Sequence, residues 1–228
     1  MRQGDNMKML SQNSKIKKSQ NETWDIFNFG IPAFRSETGL NTCPMAGNCA
    51  NGCYAQSGTY RFGNVRNAYE ERLKLTQSEH FCTIMTHEIT AQTFKTRAKN
   101  KSCLIRIHDS GDFYSNEYAN NWLKIIQQCQ TTQFYAYTKM VQMFENLKDS
   151  HSLPPNLKLI YSYGGKQDYL IDQQNHRHSR VFQDETSLIE AGYANASQND
   201  LVAIGDNNKI GLTYHGSKNY AKTNWSKV

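Results

Sequence analysis

The sequence predicts an α/β fold with a mainly parallel sheet and covering helices. Short apolar runs alternate with amphipathic stretches along the 228 residues, as in strands joined by helical crossovers. The length is sufficient for one sizeable hydrophobic core. We expect a partial (β/α) barrel of about six strands with a C-terminal hairpin, although a complete barrel or an open sheet would give the same pattern.

The first strand and its crossover come from the start of this pattern. Residues 24–31 form an apolar run that predicts a strand, and a cysteine-rich loop, 43–53, follows it. Helices are predicted over 65–76 and 79–94. In the second of these, four apolar side chains recur at helical spacing on one face.

The middle of the sheet is predicted from two further apolar runs. Residues 103–107 predict the second strand, and Ser115 is a suitable N-cap for the helix that follows it. Residues 134–138 predict the third strand, and 142–148 a short helix.

The last part of the chain has weaker patterns. Two prolines, Pro154 and Pro155, precede a predicted strand over 157–163. The remaining elements are a weak strand over 180–183, a helix over 187–196 and a hairpin made by residues 201–204 and 209–214.

The chain is expected to divide into an arm and one domain. Residues 1–21 are polar, nearly free of large apolar side chains and basic at Lys15, Lys17 and Lys18, which predicts a flexible basic arm. Residues 22–228 are predicted to form a single α/β domain. The net charge of +6 is compatible with binding a nucleic acid or nucleotide, and equally with ordinary solubility.

Composition also predicts the compartment. No stretch has the length and apolar character of a signal peptide or a membrane span, so we expect a cytoplasmic protein with no membrane partner. Six cysteines in a reducing compartment are expected to be free thiols. Cys82, Cys103 and Cys129 have apolar neighbours and are predicted to be small core residues.

The other three cysteines indicate a metal centre. Cys43, Cys49 and Cys53 share a loop rich in glycine and asparagine, and thiolates are soft ligands for zinc or iron–sulfur centres. Structural zinc sites normally have four ligands in two close pairs, and no second pair follows here. A [4Fe–4S] cluster held by three cysteines leaves one iron open, so the pattern favours a cluster, with zinc as the alternative.

Polar residues follow the predicted strands, where parallel sheets gather their ligands. His108 can move a proton near neutral pH, and Asp109 can accept hydrogen bonds from a ligand. Lys139 either pairs with an anionic ligand or is a solvated strand end. These three residues are the catalytic candidates.

The cofactor-binding candidates lie in the turn after the second predicted strand and in the turn at the end of the fourth. Asp112 can accept hydrogen bonds from an amine or from ribose hydroxyls, and Gly111 would let a ligand approach the backbone. The turn from Ser162 to Lys166 can hold a carboxylate or phosphate on backbone N–H groups, or be an ordinary turn. The candidates are Ser110, Gly111, Asp112, Ser162 and Gly164.

Three arginines after the cysteine loop have two possible roles. Arg61, Arg66 and Arg72 can contact an anionic substrate or form a solvated helix face. The sequence pattern is compatible with either interpretation.

The motifs resemble a family of bacteriophage proteins, the gene-product-eighty-eight family. They are Thr42-Cys-Pro with Cys49 and Cys53-Tyr-Ala, then Arg106-Ile-His-Asp-Ser-Gly-Asp-Phe-Tyr-Ser115, then Phe134-Tyr-Ala-Tyr-Thr-Lys139. The resemblance covers roughly residues 24–183. These motifs are similar in turn, at a greater distance, to radical S-adenosylmethionine enzymes.

That second resemblance implies a site and a chemistry. Radical S-adenosylmethionine enzymes hold a [4Fe–4S] cluster with three cysteines after the first strand of an α/β barrel, and the open iron binds S-adenosylmethionine. Carried over, Cys43, Cys49 and Cys53 would be the cluster ligands. Ser110, Gly111 and Asp112 would lie near the amino group of the methionine.

Together these observations predict a phage-encoded iron–sulfur enzyme of radical S-adenosylmethionine type, acting in the host cytoplasm on a substrate that the residues do not identify. The alternative is a protein without catalysis. It would be either a zinc-stabilised nucleic-acid-binding protein or a protein that interacts with a host factor.

Overall fold

A computed structural model, which describes residues 8–150 and 152–214, contains a seven-stranded sheet in which every strand pair is parallel. The strand order is β1-β2-β3-β4-β5-β7-β6, so β1 and β6 are the two outer strands of the sheet. The predicted α/β class with a parallel sheet is confirmed. The strands are β1 Trp24–Phe29, β2 Ser102–Ile107, β3 Gln133–Thr138, β4 Leu157–Ser162, β5 His178–Phe182, β6 Ala194–Asn195 and β7 Lys209–Thr213.

Helices connect the first strands, because parallel neighbours must be joined by a crossover connection. The predicted cap of α4 is confirmed, because the Ser115 hydroxyl accepts a hydrogen bond from the Tyr118 N–H over 3.1 Å. The helices are α1 Ser14–Ser19, α2 Gly63–Thr76, α3 Phe81–Arg97, α4 Asn116–Gln128, α5 Val141–Ser150 and α6 Glu185–Glu190.

The larger hydrophobic core lies between the sheet and helices α3 to α5. Alternate strand residues such as Phe29 and Ile105 point to this face, as the two-residue period of a strand requires. They pack against aromatic side chains from the helices, and the ring centroids of Phe29 and Trp122 are 5.2 Å apart. We call this the helix-covered face.

The opposite face of the sheet is covered by α1 and the 3₁₀ turn Asp200–Ile204. Ile16 of α1 packs there with Ile26 and Leu104. A buried charge cluster lies alongside: the Asp200 carboxylate is 2.7 Å from Lys15 Nζ and 3.2 Å from Arg106 Nη1. We call this the α1-covered face.

The expectation of a flexible arm over residues 1–21 is therefore wrong for residues 8–21. Met9, Leu10 and Ile16 are buried, and the Glu88 carboxylate accepts the backbone N–H groups of Met9 and Leu10. Met9, Leu10 and Ile16 show no helical or strand period in this polar stretch, yet each fills a core position. Residues 1–7 lie outside the described residues.

The predicted C-terminal hairpin is also wrong. The run 209–213 is β7, which pairs in parallel with β5 and β6, whereas residues 200–204 form a 3₁₀ turn. The helix predicted over 187–196 ends at Glu190, because Gly192 takes a left-handed φ of 74° and turns the chain into β6. That strand is the reason for seven strands instead of about six.

Candidate functional site

The cysteine loop is fixed across the carboxyl end of β4. The N–H groups of Gly47 and Cys49 both donate to the Gly164 carbonyl, over 3.1 and 3.2 Å. Beside them the Lys166 N–H donates to the Met45 carbonyl over 2.9 Å. A Cβ atom at Gly165 would lie 2.9 Å from the Met45 oxygen, so this close crossing of two chain segments requires glycine.

The three cysteines of the loop are half-buried and form no disulfide, and Cys49 and Cys53 both lie within electrostatic reach of Cys43. Burial raises the pKa of Cys43 to about 12, and the negative charges of Asp112, Cys53 and Cys49 raise it as well. A thiol in these surroundings stays protonated at neutral pH unless a cation offsets the charge.

Lys139, at the end of β3, supplies one positive charge next to these thiols. Its Nζ donates to the Ser162 hydroxyl over 3.0 Å. Burial by itself lowers the pKa of Lys139, but the nearby Cys49, Asp112 and Cys43 outweigh it, so the pKa is raised. The structure thus brings Lys139 and Ser162 together beside the cysteine loop.

Asp112 connects the ends of β2 and β3 below the loop. Its buried carboxylate accepts hydrogen bonds from the Thr138 hydroxyl over 2.7 Å, the Phe113 N–H over 2.8 Å and the Lys139 N–H over 2.9 Å. Burial raises the pKa of Asp112 against the lowering effect of these bonds. Because these protein groups occupy both carboxylate oxygens, Asp112 positions the strand ends.

His108 lies away from the cysteines, in the core of the helix-covered face. It takes a φ of 63°, which interrupts the strand alternation and turns the ring to the same side as Phe113, 4.6 Å away between centroids. Its Nε2 is 2.8 Å from the Tyr118 hydroxyl. Burial and the charge of Arg106 lower the pKa of His108 to about 3, so the proposed proton transfer near neutral pH is not supported.

Asp109 is enclosed by tyrosines that the sequence analysis missed. Its carboxylate accepts from the Tyr69 hydroxyl over 3.0 Å, from the Tyr60 hydroxyl over 3.4 Å and from the Asn13 amide over 3.2 Å. The Tyr54 hydroxyl donates to the Asp109 carbonyl. These tyrosines come from the short turns after the cysteine loop and from α2 at irregular spacing, so no sequence period pointed to them.

Gly164 and Gly165 hold a carboxylate, as their motif predicts, but it belongs to the chain. Their N–H groups each donate to the Asp168 side chain over 2.8 Å. Asp168 was missed because no pattern distinguishes it from other surface acids. The turn therefore supports the cysteine loop, and its N–H groups are not free for an external anion.

Ser110 and Gly111 lie in the turn after β2. Gly111 has a φ of 81°, and a Cβ there would come within 2.3 Å of Ile31 Cγ1. The Ser110 hydroxyl is buried and has no hydrogen-bond partner among residues 8–150 and 152–214. Ser110 also lines a cleft of about 410 Å³ beside the loop.

The donor set can be compared with the two predicted metals. In tetrahedral zinc each Zn–S bond is about 2.3 Å, which brings the sulfur atoms within roughly 4 Å of one another. The described part of the chain contains no group of three His, Cys, Asp or Glu side chains arranged around one ion. A cluster binds each thiolate through a different iron atom, so it does not require the three sulfur atoms to surround a single ion.

Among the described residues no helix combines the length and the apolar character that a bilayer crossing needs. No solved structure matches the chain.

Comparison with known sequences gives two matches. The "Gene 88 protein" of Mycobacterium phage D29 is 31% identical over 134 residues, which are 55% of this chain and 52% of that protein. The chain therefore aligns with about half the length of this relative. The family described as Gene product 88 matches residues 2–226. This match extends over nearly the whole sequence, and the chain belongs to the Gene product 88 family.

Proposed function

We propose that this protein binds an iron–sulfur cluster through Cys43, Cys49 and Cys53 and uses it in chemistry on a small molecule at the carboxyl edge of the sheet. The observation that supports this proposal is a clamped loop in which Cys43 lies within electrostatic reach of Cys49 and Cys53, while Lys139 lies within reach of Cys43 and Cys49. Parallel α/β sheets place their active sites at this edge.

The charges of the site support a cationic occupant. Three thiolates and the Asp112 carboxylate would carry four negative charges, and Lys139 offers one positive charge. Because burial holds the pKa of Cys43 near 12, its thiol loses a proton only when a metal centre binds. Binding is therefore expected to release protons and to stabilise the fold.

The resemblance to radical S-adenosylmethionine enzymes suggests which small molecule is bound. When present, the cluster supplies one-electron reduction and an open iron for S-adenosylmethionine. Of the three residues expected near the methionine, Ser110 has a hydroxyl without a partner among the described residues, whereas Asp112 is fully hydrogen-bonded. We therefore assign Ser110 to ligand binding and Asp112 to positioning.

The matched phage relative suggests where the protein acts. Since the Gene 88 protein comes from a phage, we propose that this chain is also phage-encoded and works in the reducing cytoplasm of its host, where thiolates and clusters persist.

Anaerobic purification tests the proposal. We expect about four iron and four sulfide per chain, a broad visible absorption band, and a paramagnetic signal after reduction. Cys43→Ala, Cys49→Ala and Cys53→Ala should each lower the iron content strongly.

Cys82→Ala is the matched control, because Cys82 is a half-buried free thiol on α3 outside the loop. It should retain the wild-type iron content. One zinc per chain without sulfide would contradict the proposal and favour the zinc-stabilised alternative without catalysis.

A further inference from the structure

A cleft beside the cysteine loop has the size of a small-molecule site. It has a volume of about 410 Å³ and lies between the segment after β1 and the start of α2. Ligand pockets commonly occupy about 300–1,000 Å³. Ala55, two residues after Cys53, and Ser110, at the end of β2, both line it, so the cleft adjoins the proposed cluster site.

Arginines dominate the charge of this cleft. Arg35, Arg61 and Arg66 line it, and Arg66 is paired with Glu37 at 2.6 Å. Neither Arg35 nor Arg61 forms an ion pair within 4.0 Å anywhere in residues 8–150 and 152–214. Two guanidinium groups are thus available to an anion.

The acidic residues of the cleft do not offset these two charges directly. Glu37 is engaged with Arg66, and the buried Glu70 carboxylate accepts the Glu37 N–H over 2.8 Å. Arg72, which the sequence grouped with Arg61 and Arg66, is buried instead and donates to the Lys8 carbonyl. The free positive charge of the cleft therefore comes from Arg35 and Arg61.

The inner end of the cleft combines aromatic rings with one unpartnered hydroxyl. Tyr60 and Tyr69 line it, their hydroxyls donate to Asp109, and their rings meet edge to face with centroids 5.8 Å apart. Ser110 is only 6% exposed, and its hydroxyl has no partner among the described residues. A buried hydroxyl without a partner is costly, so a ligand that hydrogen-bonds to it would gain affinity.

We propose that this cleft binds the substrate and that the substrate is a nucleoside monophosphate or a close analogue. The phosphate would pair with Arg61 and Arg35, whose planar guanidinium groups match phosphate oxygens. The ring would pack on Tyr60 and Tyr69, and Ser110 would hydrogen-bond to a polar atom of the ligand. That the bound monophosphate is a substrate rests on the proposed function, whereas binding of the monophosphate in the cleft does not depend on it.

Calorimetry with thymidine monophosphate, thymidine and inorganic phosphate tests the inference. We expect thymidine monophosphate to bind, thymidine to bind at least tenfold more weakly, and phosphate to compete. Arg61→Gln and Arg35→Gln should each weaken the monophosphate at least tenfold. Arg97→Gln, at the far end of α3, is the matched control and should bind as the wild type does.

Three results would overturn the inference: no binding of the monophosphate, equal binding of nucleoside and monophosphate, or unchanged affinity in both cleft variants. Metal analysis separates this outcome from the cluster proposal. If the purified protein contained no iron but bound the monophosphate through Arg61, the cluster proposal would be wrong and the cleft proposal would be supported. If the protein contained iron but did not bind the monophosphate, the cleft proposal would be wrong and the cluster proposal would be supported.

Discussion

The backbone N–H of Lys139 donates to the Asp112 carboxylate over 2.9 Å, while the Lys139 ammonium turns to Ser162 over 3.0 Å. One residue thereby connects the ends of β2, β3 and β4. The Asp112 carboxylate and the Lys139 ammonium also set the charge around Cys43 and Cys49. The electrostatics of the thiols consequently depend on the same bonds that align the strand ends.

Asp112→Asn should destabilise the fold. The carboxylate accepts three donors on its two oxygens, and an amide would place N–H groups against at least one of them. A buried donor left unpaired costs about 1–3 kcal/mol. Urea unfolding should report this loss, and Asp206→Asn at an exposed position should leave the free energy of unfolding unchanged. Equal stabilities of the two variants would contradict the role given to Asp112.

Gly111→Ala should be more harmful than Gly39→Ala. Both glycines have a left-handed φ, 81° and 86°, so both substitutions carry a similar backbone strain of about 1–2 kcal/mol. Only at Gly111 would the new Cβ meet Ile31, at 2.3 Å, and overpacking adds about 1–3 kcal/mol. Thermal and urea unfolding of the pair measure the difference. A Gly39 variant as unstable as the Gly111 variant would argue against the close packing.

His108 should make the protein less stable in acid. Its pKa is about 3 in the folded chain and about 6.5 unfolded. Between these values only the unfolded state binds the proton. The free energy of unfolding therefore falls as the pH drops, by up to about 1.4 kcal/mol per pH unit.

His108→Asn removes this titration while retaining a residue that tolerates positive φ. We expect a flatter dependence of the free energy of unfolding on pH between 7 and 5, measured with urea. His80→Asn, on the surface, should keep the wild-type slope. If His108→Asn also kept that slope, the histidine would not be buried in its neutral form.

Asp200→Ala should release α1 from the sheet. Asp200 is fully buried between Lys15 and Arg106, and removing one partner of a buried charge cluster costs about 3–5 kcal/mol. We expect trypsin to cut faster at Lys15, Lys17 and Lys18. Asp206→Ala should digest like the wild type. Cleavage at the same rate in both variants would mean that the charge cluster does not hold α1.

The sequence allowed the parallel sheet to be predicted because its strands are continuous apolar runs separated by periodic helices. It failed where single residues decide the structure. The left-handed φ of His108 reversed the direction expected from strand alternation. Gly192 ended a helix early, and three apolar residues without a period, Met9, Leu10 and Ile16, packed the N-terminal segment against the rest of the fold.

The same contrast applies to the site. Three cysteines in one loop are a local signal, so a shared site could be proposed from their spacing alone. The contacts of Asp109 with Tyr69, Tyr60 and Asn13 span up to 96 positions in sequence. Asp168, which takes the place of the anion expected at Gly164, is close in sequence, but no pattern distinguishes it from other surface acids. Only the folded chain shows such partners.

Because α1 covers one face of the sheet with Ile16 and the Lys15–Asp200 pair, and α3 to α5 cover the other, a molecule would approach the thiols from the carboxyl edge of the sheet. The end of that molecule farther from the thiols would remain in water. The protein would then not limit how long that end is. A terminal nucleotide of a longer strand could enter as easily as a free one.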